Sequence, residues 1–178
     1  MKTLFILLGL ILIGAIYMFI LSKDHQLSYY EDTKPHADLK TYFNGPIKAW
    51  GIIQDWRGRV VSRFDVDMVG RWEGDSGVLE EEFRYYNGGQ QRRVWRLKKL
   101  ADGRYIGEAD DIIDQAQGRI NGSALFWNYR MDIPVEGQTY RLSFDDWMWQ
   151  MNDGVLINRS YLKKFGFTVA ELTLFMKK

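Results

Sequence analysis

From residue 47 to residue 176 the chain is a succession of short apolar-rich runs cut by turn signals, and this rhythm constrains the fold more than any other feature. Runs over 47–54, 59–72, 78–86, 90–99, 104–113, 123–133, 138–150, 154–160 and 167–176 are separated by Asp55-Trp56-Arg57-Gly58, Glu73-Gly74-Asp75-Ser76-Gly77, Asn87-Gly88-Gly89, Asp102-Gly103, Glu136-Gly137 and Asp153-Gly154. Gly, Asn and Asp take up positive φ at little cost, so these are hairpin turns and the runs are antiparallel strands. Alternation supports the reading. Phe64, Val66, Met68, Gly70 and Trp72 share one parity, and so do Leu125, Trp127, Tyr129, Met131 and Ile133; in a strand, one parity is one face. Over 140–149 both faces are aromatic or aliphatic, which calls for cover on both sides or a bulge at Asp145-Asp146.

About nine strands with short connections predict an all-β, antiparallel up-and-down barrel, because closure removes exposed edges. A β-sandwich needs long Greek-key connections. The only stretches beyond a tight turn are 114–122 and 161–166, with one helical turn expected over Ser160–Phe165.

The amino terminus is unlike the rest. Residues 4–21 carry no charge, and at about 1.5 Å per residue they span roughly 27 Å, close to a hydrocarbon core of about 30 Å. They exceed a signal-peptide apolar region, and no small-x-small cleavage site follows. The sequence therefore favours an uncleaved signal anchor over 1–23, a cleaved signal being the alternative, then a polar stalk over 24–40 holding His25, Pro35 and His36, and a barrel domain over 41–178. Lys2 before the span, with Lys23 and Asp24 cancelling after it, turns the domain outward by the positive-inside rule. The expected setting is a single-pass membrane protein with its domain facing outward from the cytoplasm.

Composition excludes several chemistries. With 24 Lys and Arg against 23 Asp and Glu, and no basic cluster, there is no footprint for nucleic acid. The absence of cysteine removes thiolate nucleophiles, iron–sulfur clusters and Cys-rich zinc sites. Both histidines precede the domain, so a Ser-His-Asp triad, a His-ligated metal and a His general base are not expected there. No metal or other cofactor is implied.

Three places concentrate aromatic and ionisable groups. In Phe144-Asp145-Asp146-Trp147-Met148-Trp149, followed by Asn158-Arg159, adjacent carboxylates point to opposite faces, which disfavours a catalytic dyad. A tight turn at Asn152–Gly154 would set Asp146 opposite Arg159 and Trp147 opposite Asn158, giving a charge pair; Arg96 is another candidate partner for one of the two Asp, the other capping a turn. In Gly107–Asp114 the acidic spacing is not that of a calcium loop and reads as a solvated edge. In Arg92-Arg93-Val94-Trp95-Arg96, Arg92 and Arg96 share one face and Arg93 and Trp95 the other. An inward Arg could hold a ligand head group, while hairpin geometry pairs the Arg residues with Glu80 or Glu82. The candidate ligand-contacting residues are Trp95, Arg96, Trp127, Asp145, Asp146, Trp147, Trp149, Asn158 and Arg159.

The segments Tyr42-Phe43-Asn44-Gly45, Ala49-Trp50-Gly51, Gln54-Asp55-Trp56-Arg57-Gly58, Ala116-Gln117-Gly118, Phe144-Asp145-Asp146-Trp147-Met148, Leu156-Ile157-Asn158-Arg159-Ser160 and Lys164-Phe165-Gly166 resemble a bacterial family of unknown function. Its members are often described as lipoproteins. The resemblance covers about residues 38–177, and F-x-D-D-W-M followed by L-I-N-R-S is its most specific part. It implies a Gram-negative envelope protein with a lipocalin-like barrel. It also implies a lipid context, since relatives occur beside genes for a cyclopropane-fatty-acid-synthase-like methyltransferase. This chain has no cysteine to lipidate, so its anchorage would rest on the helix. Gly70-Arg71-Trp72 fits the spacing of a lipocalin G-x-W but lies late in the strand array.

These features together predict a membrane-anchored barrel that binds an acyl chain or other apolar small ligand, in lipid modification or envelope stress. The alternatives are an enzyme acting on lipids through Asp145, Asp146 or Glu82, and a filled barrel serving assembly.

Overall fold

In the computed structural model, which describes Gly9, Gly14, residues 26–135 and residues 137–178, ten antiparallel strands close into one barrel. They are β1 (Gly45–Asp55), β2 (Val60–Glu73), β3 (Ser76–Tyr85), β4 (Gln90–Lys99), β5 (Tyr105–Glu108), β6 (Ile112–Asn121), β7 (Ala124–Val135), β8 (Gln138–Gln150), β9 (Val155–Lys164) and β10 (Phe167–Lys177). Each pairs with its neighbour in sequence. The ring is sealed by β1 against β10, from Lys48 opposite Lys177 to Asp55 opposite Ala170. The expected span over 4–21 lies almost wholly outside the described residues, among which no helix is long and apolar enough to cross a membrane.

Three departures from the sequence reading have physical causes. The run read as 104–113 is two strands, and 114–121 of the expected 114–122 connection is strand rather than loop. In β6 the inward positions are Ala116 and Gly118, too small to register as a core pattern, because Trp127 of β7 occupies the space they leave. A Cβ on Gly118 would sit 2.0 Å from the Trp127 ring, and one on Gly107 of β5 would sit 2.5 Å from it. A register shift between Ile113 and Gln117, with Asp114 at φ +62°, further hides the strand.

The helical turn expected over Ser160–Phe165 is absent, because β9 continues to Lys164 with Ser160 and Leu162 inward. Finally, the β8–β9 ladder ends at Gln150 opposite Leu156, one residue beyond what a tight Asn152–Gly154 turn gives. Asp146 therefore faces Ser160, and Trp147 faces Arg159.

The doubly apolar strand 140–149 is covered rather than bulged, its register running unbroken against both neighbours. Trp147 and Trp149 lie on its outer face, where a 3-10 turn at Leu27–Tyr30 places Tyr30 with ring centroids 6.0 and 6.3 Å from them. Phe126 completes this patch, 4.7 Å from Trp147.

The part of the predicted stalk from residue 26 on lies against the barrel. Ala37 N–H donates to Gly122 O at 2.8 Å. Asp38 then caps a short helix, α1 (Leu39–Tyr42), by accepting from the Lys40 and Thr41 amides. Leu39, Tyr42 and Phe43 are buried and plug one end. Gly70 and Trp72 seat the plug: Trp72 Nε1 donates to Phe43 O at 2.9 Å, and a Cβ at Gly70 would come within 1.9 Å of that same oxygen. This is what the Gly70-Arg71-Trp72 segment does here.

Candidate functional site

No described residue plugs the other end of the barrel, formed by the β1–β2, β3–β4, β5–β6, β7–β8 and β9–β10 connections. A cavity of about 610 Å³ fills the interior and reaches that mouth, where Gln91, Asp132 and Pro134 line it and are exposed. The volume falls in the range of about 300–1,000 Å³ usual for small-molecule pockets. Ten strands enclose more space than the eight that side chains can just fill. The wall is largely apolar, with Phe64, Leu79, Trp95, Leu125, Trp127 and Phe144 among its residues.

Four of the nine residues picked from sequence line this cavity: Trp95, Trp127, Asp146 and Asn158. Trp95 meets Trp127 and Tyr129 edge-on, with centroids 6.0 and 5.5 Å apart. The other five are outside it. Arg96 is exposed and bonds Asp110 at 2.8 Å; Arg159 is exposed and pairs with Glu171. Asp145 pairs with Lys163 and accepts from Asn128 Nδ2, while Trp147 and Trp149 form the outer patch. The expected Asp146–Arg159 and Asp–Arg96 pairings within the 145–146 segment do not form. Of the carboxylates proposed for catalysis, Glu82 is exposed and Asp145 faces outward, leaving Asp146 alone inside.

The interior holds ionisable groups beyond the nine candidates. Glu81 and Arg93 are cross-strand partners, and both line the cavity. Arg93 Nε and Nη2 donate to Asp111 Oδ2 at 2.9 and 2.7 Å, so Asp111 is not part of a solvated edge. Its neighbours conform better to that expectation: Asp110 and Asp114 are exposed, paired with Arg96 and Arg130. The pairing expected for Arg92 is found with Glu80, at 3.0 Å. Parity could have located Glu81, which alternates with Leu79 and Phe83, and it did place Arg93 beside Trp95. Asp111 sits in a connection, where parity says nothing.

Burial sets the electrostatics. Glu81 and Asp146 are 8% and 7% exposed. Loss of hydration pushes the Glu81 carboxyl up to about 7, with Arg93 pulling it back, and the Asp146 carboxyl up to about 6, opposed by the Ser160 and Tyr129 hydroxyls. Glu81 Oε2, Asp111 Oδ1 and Asp146 Oδ1 are buried without a hydrogen-bond partner. Asn158 is satisfied within the wall, donating to Trp147 O at 3.1 Å and accepting from Ser160. Among the described residues no group of His, Cys, Asp and Glu could hold a metal ion.

The mouth itself is apolar at its tips. Trp56, Val60 and Val61 on the first hairpin, Tyr86 on the second and Phe165 and Phe167 on the last are exposed, Trp56 at 70% and Phe165 at 89%. Cations sit beside the rings: Arg57 4.5 Å from the Trp56 centroid, Arg63 5.1 Å from Tyr86 and Lys164 5.0 Å from Phe165. Phe165 holds φ at +52°, a conformation that a bulky residue adopts only at a cost.

A closed antiparallel barrel whose described residues plug one end and leave the other open, around an apolar interior containing a few buried ionisable groups, belongs to the class of hollow β-barrels. Within that class the chain belongs to the family described as "Protein of unknown function (DUF3833)", whose model matches residues 17–178. No curated protein matches the chain.

Proposed function

We propose that the protein binds an apolar small molecule, an acyl chain being the foremost candidate, inside its barrel. The observation that carries the reading is the cavity of about 610 Å³ with an aromatic and aliphatic wall and one open end. The exposed rings and basic side chains at the mouth support a lipid source, since aromatic tips flanked by Arg and Lys suit an apolar–water boundary. In this reading residues 4–21 anchor the chain in the inner membrane, with the barrel in the periplasm of a Gram-negative cell. Its ligand then belongs to lipid modification or envelope stress, beside a cyclopropane-fatty-acid-synthase-like methyltransferase. Thr33 and Ala37 lie beside the plugged end, bonded to Ser123 and Gly122.

Native mass spectrometry of the full chain released from detergent tests the proposal. A copurified lipid-like adduct, or uptake of an added long-chain alcohol, supports it; bare protein after addition of such ligands counts against it.

A second reading, an enzyme acting on lipids, draws on Glu81 and Asp146, two carboxyls whose proton affinities burial brings near neutrality. It requires turnover of a lipid ester that is lost in Asp146→Asn.

A further inference from the structure

The cavity's ionisable groups are unbalanced. Glu81, Asp111 and Asp146 bring three carboxyl groups to a wall where Arg93 is the cation, and Arg93 spends two N–H groups on Asp111. The hydrogen-bond balance leans the same way. One oxygen on each of the three carboxyls is buried without a partner, whereas among the described residues no buried side-chain nitrogen is left so. Such a site lacks donors and positive charge.

We infer that the ligand's polar end is an amine, its ammonium group meeting Glu81 and Asp146 while its chain lies along the Trp95 and Trp127 wall. The inference rests on the proposed binding of an apolar molecule in the barrel and names its chemistry. A fatty acid would add a further carboxylate to a site already rich in them, at close range and away from water, where like charges repel strongly.

The pH dependence has a definite sign. Glu81 faces Arg93 and Trp95 on β4, with Asp111 and Asp146 near it; Asp146 faces Tyr129 on β7 and Ser160 on β9, with Arg93 and Asp145 near it. An ammonium group favours the ionised carboxyls, so amine affinity rises as pH passes from below to above their values of about 6 and 7. An alkyl amine stays protonated throughout, since a lysine-type amine titrates near pH 10.4. A bound fatty acid would show the opposite trend.

The test offers the full chain equal concentrations of hexadecylamine, hexadecanol and hexadecanoic acid, and reads bound masses by native mass spectrometry at about pH 5.5 and about pH 8. The expected result is amine over alcohol over acid, with the amine-to-alcohol ratio rising at least about threefold at the higher pH, as an ionising partner demands. Glu81→Gln, its fold checked by near-ultraviolet circular dichroism, should lower that ratio, while the outward Glu82→Gln should leave it unchanged. Preference for the acid, or an amine-to-alcohol ratio that is flat or falls with pH, overturns the inference while leaving an apolar-ligand barrel standing. Failure of all three to bind removes both.

Discussion

Asp146 stands directly across the β8–β9 ladder from Ser160, inside the barrel, while Arg159 points outward and holds Glu171 of β10. A one-residue change of register moves a whole strand's side chains to the other face, and here it separates an acid from the arginine that a tight turn would have given it. A double-mutant cycle on Asp146→Ala and Arg159→Ala should therefore show additive effects. The cycle on Arg159 and Glu171 should show a coupling of about 0–1 kcal/mol, as exposed pairs do. Urea denaturation reads both, and coupling between 146 and 159 would contradict the register.

The buried carboxyls give stability an unusual pH trend. Folding raises the proton affinity of Glu81 and Asp146, so their contribution is complete below the unfolded values and is lost as pH rises through about 6 and 7. Full ionisation costs on the order of 3 kcal/mol for each. The melting temperature should fall by at least about 5 °C between pH 5 and pH 8, and Glu81→Gln should remove part of the fall. Carboxylates held low by arginine, such as Asp55 beside Arg59 and Asp67 beside Arg84, act in the opposite sense and only at more acid pH.

Gly118→Ala should destabilise the barrel by about 1–3 kcal/mol, since the new methyl group meets the Trp127 ring and rigid overpacking costs that much. Combining it with Trp127→Phe should cost less than the sum of the two changes, because they share one space. Equal additivity in urea denaturation would show that β6 gives way instead.

At the mouth, stability and function should part. Phe165→Asn relieves a positive φ and should stabilise by up to about 1 kcal/mol. Trp56→Ser with Phe165→Asn should nonetheless slow transfer of a fluorescent acyl ligand from vesicles to the barrel by about tenfold, the loss of roughly 1.4 kcal/mol of apolar contact. Unchanged transfer would remove the mouth from the route.

The strands legible in the sequence are those whose inward positions carry large apolar residues. In β2 and β7 the alternation from Phe64 to Trp72 and from Leu125 to Ile133 is the observed inner face. What escaped was written in small or polar residues. Ala116 and Gly118 mark β6 only once Trp127 is known to lie against them, and Ser160 disguises the continuation of β9. The candidate site divides similarly: parity placed Arg93 with Trp95, but motif identity favoured Asp145, Arg159 and the outer tryptophans, whose partners are Lys163, Glu171 and Tyr30.

The tryptophans themselves provide the most direct test of the hollow, ligand-binding barrel. A long-chain alcohol carrying bromine near its end quenches only indoles it touches, and Trp95 and Trp127 line the cavity while Trp147 and Trp149 do not. Titration should give saturable quenching that survives Trp147→Phe with Trp149→Phe and is lost in Trp95→Phe with Trp127→Phe. Quenching that never saturates, or that follows the outer pair, would contradict binding inside the barrel.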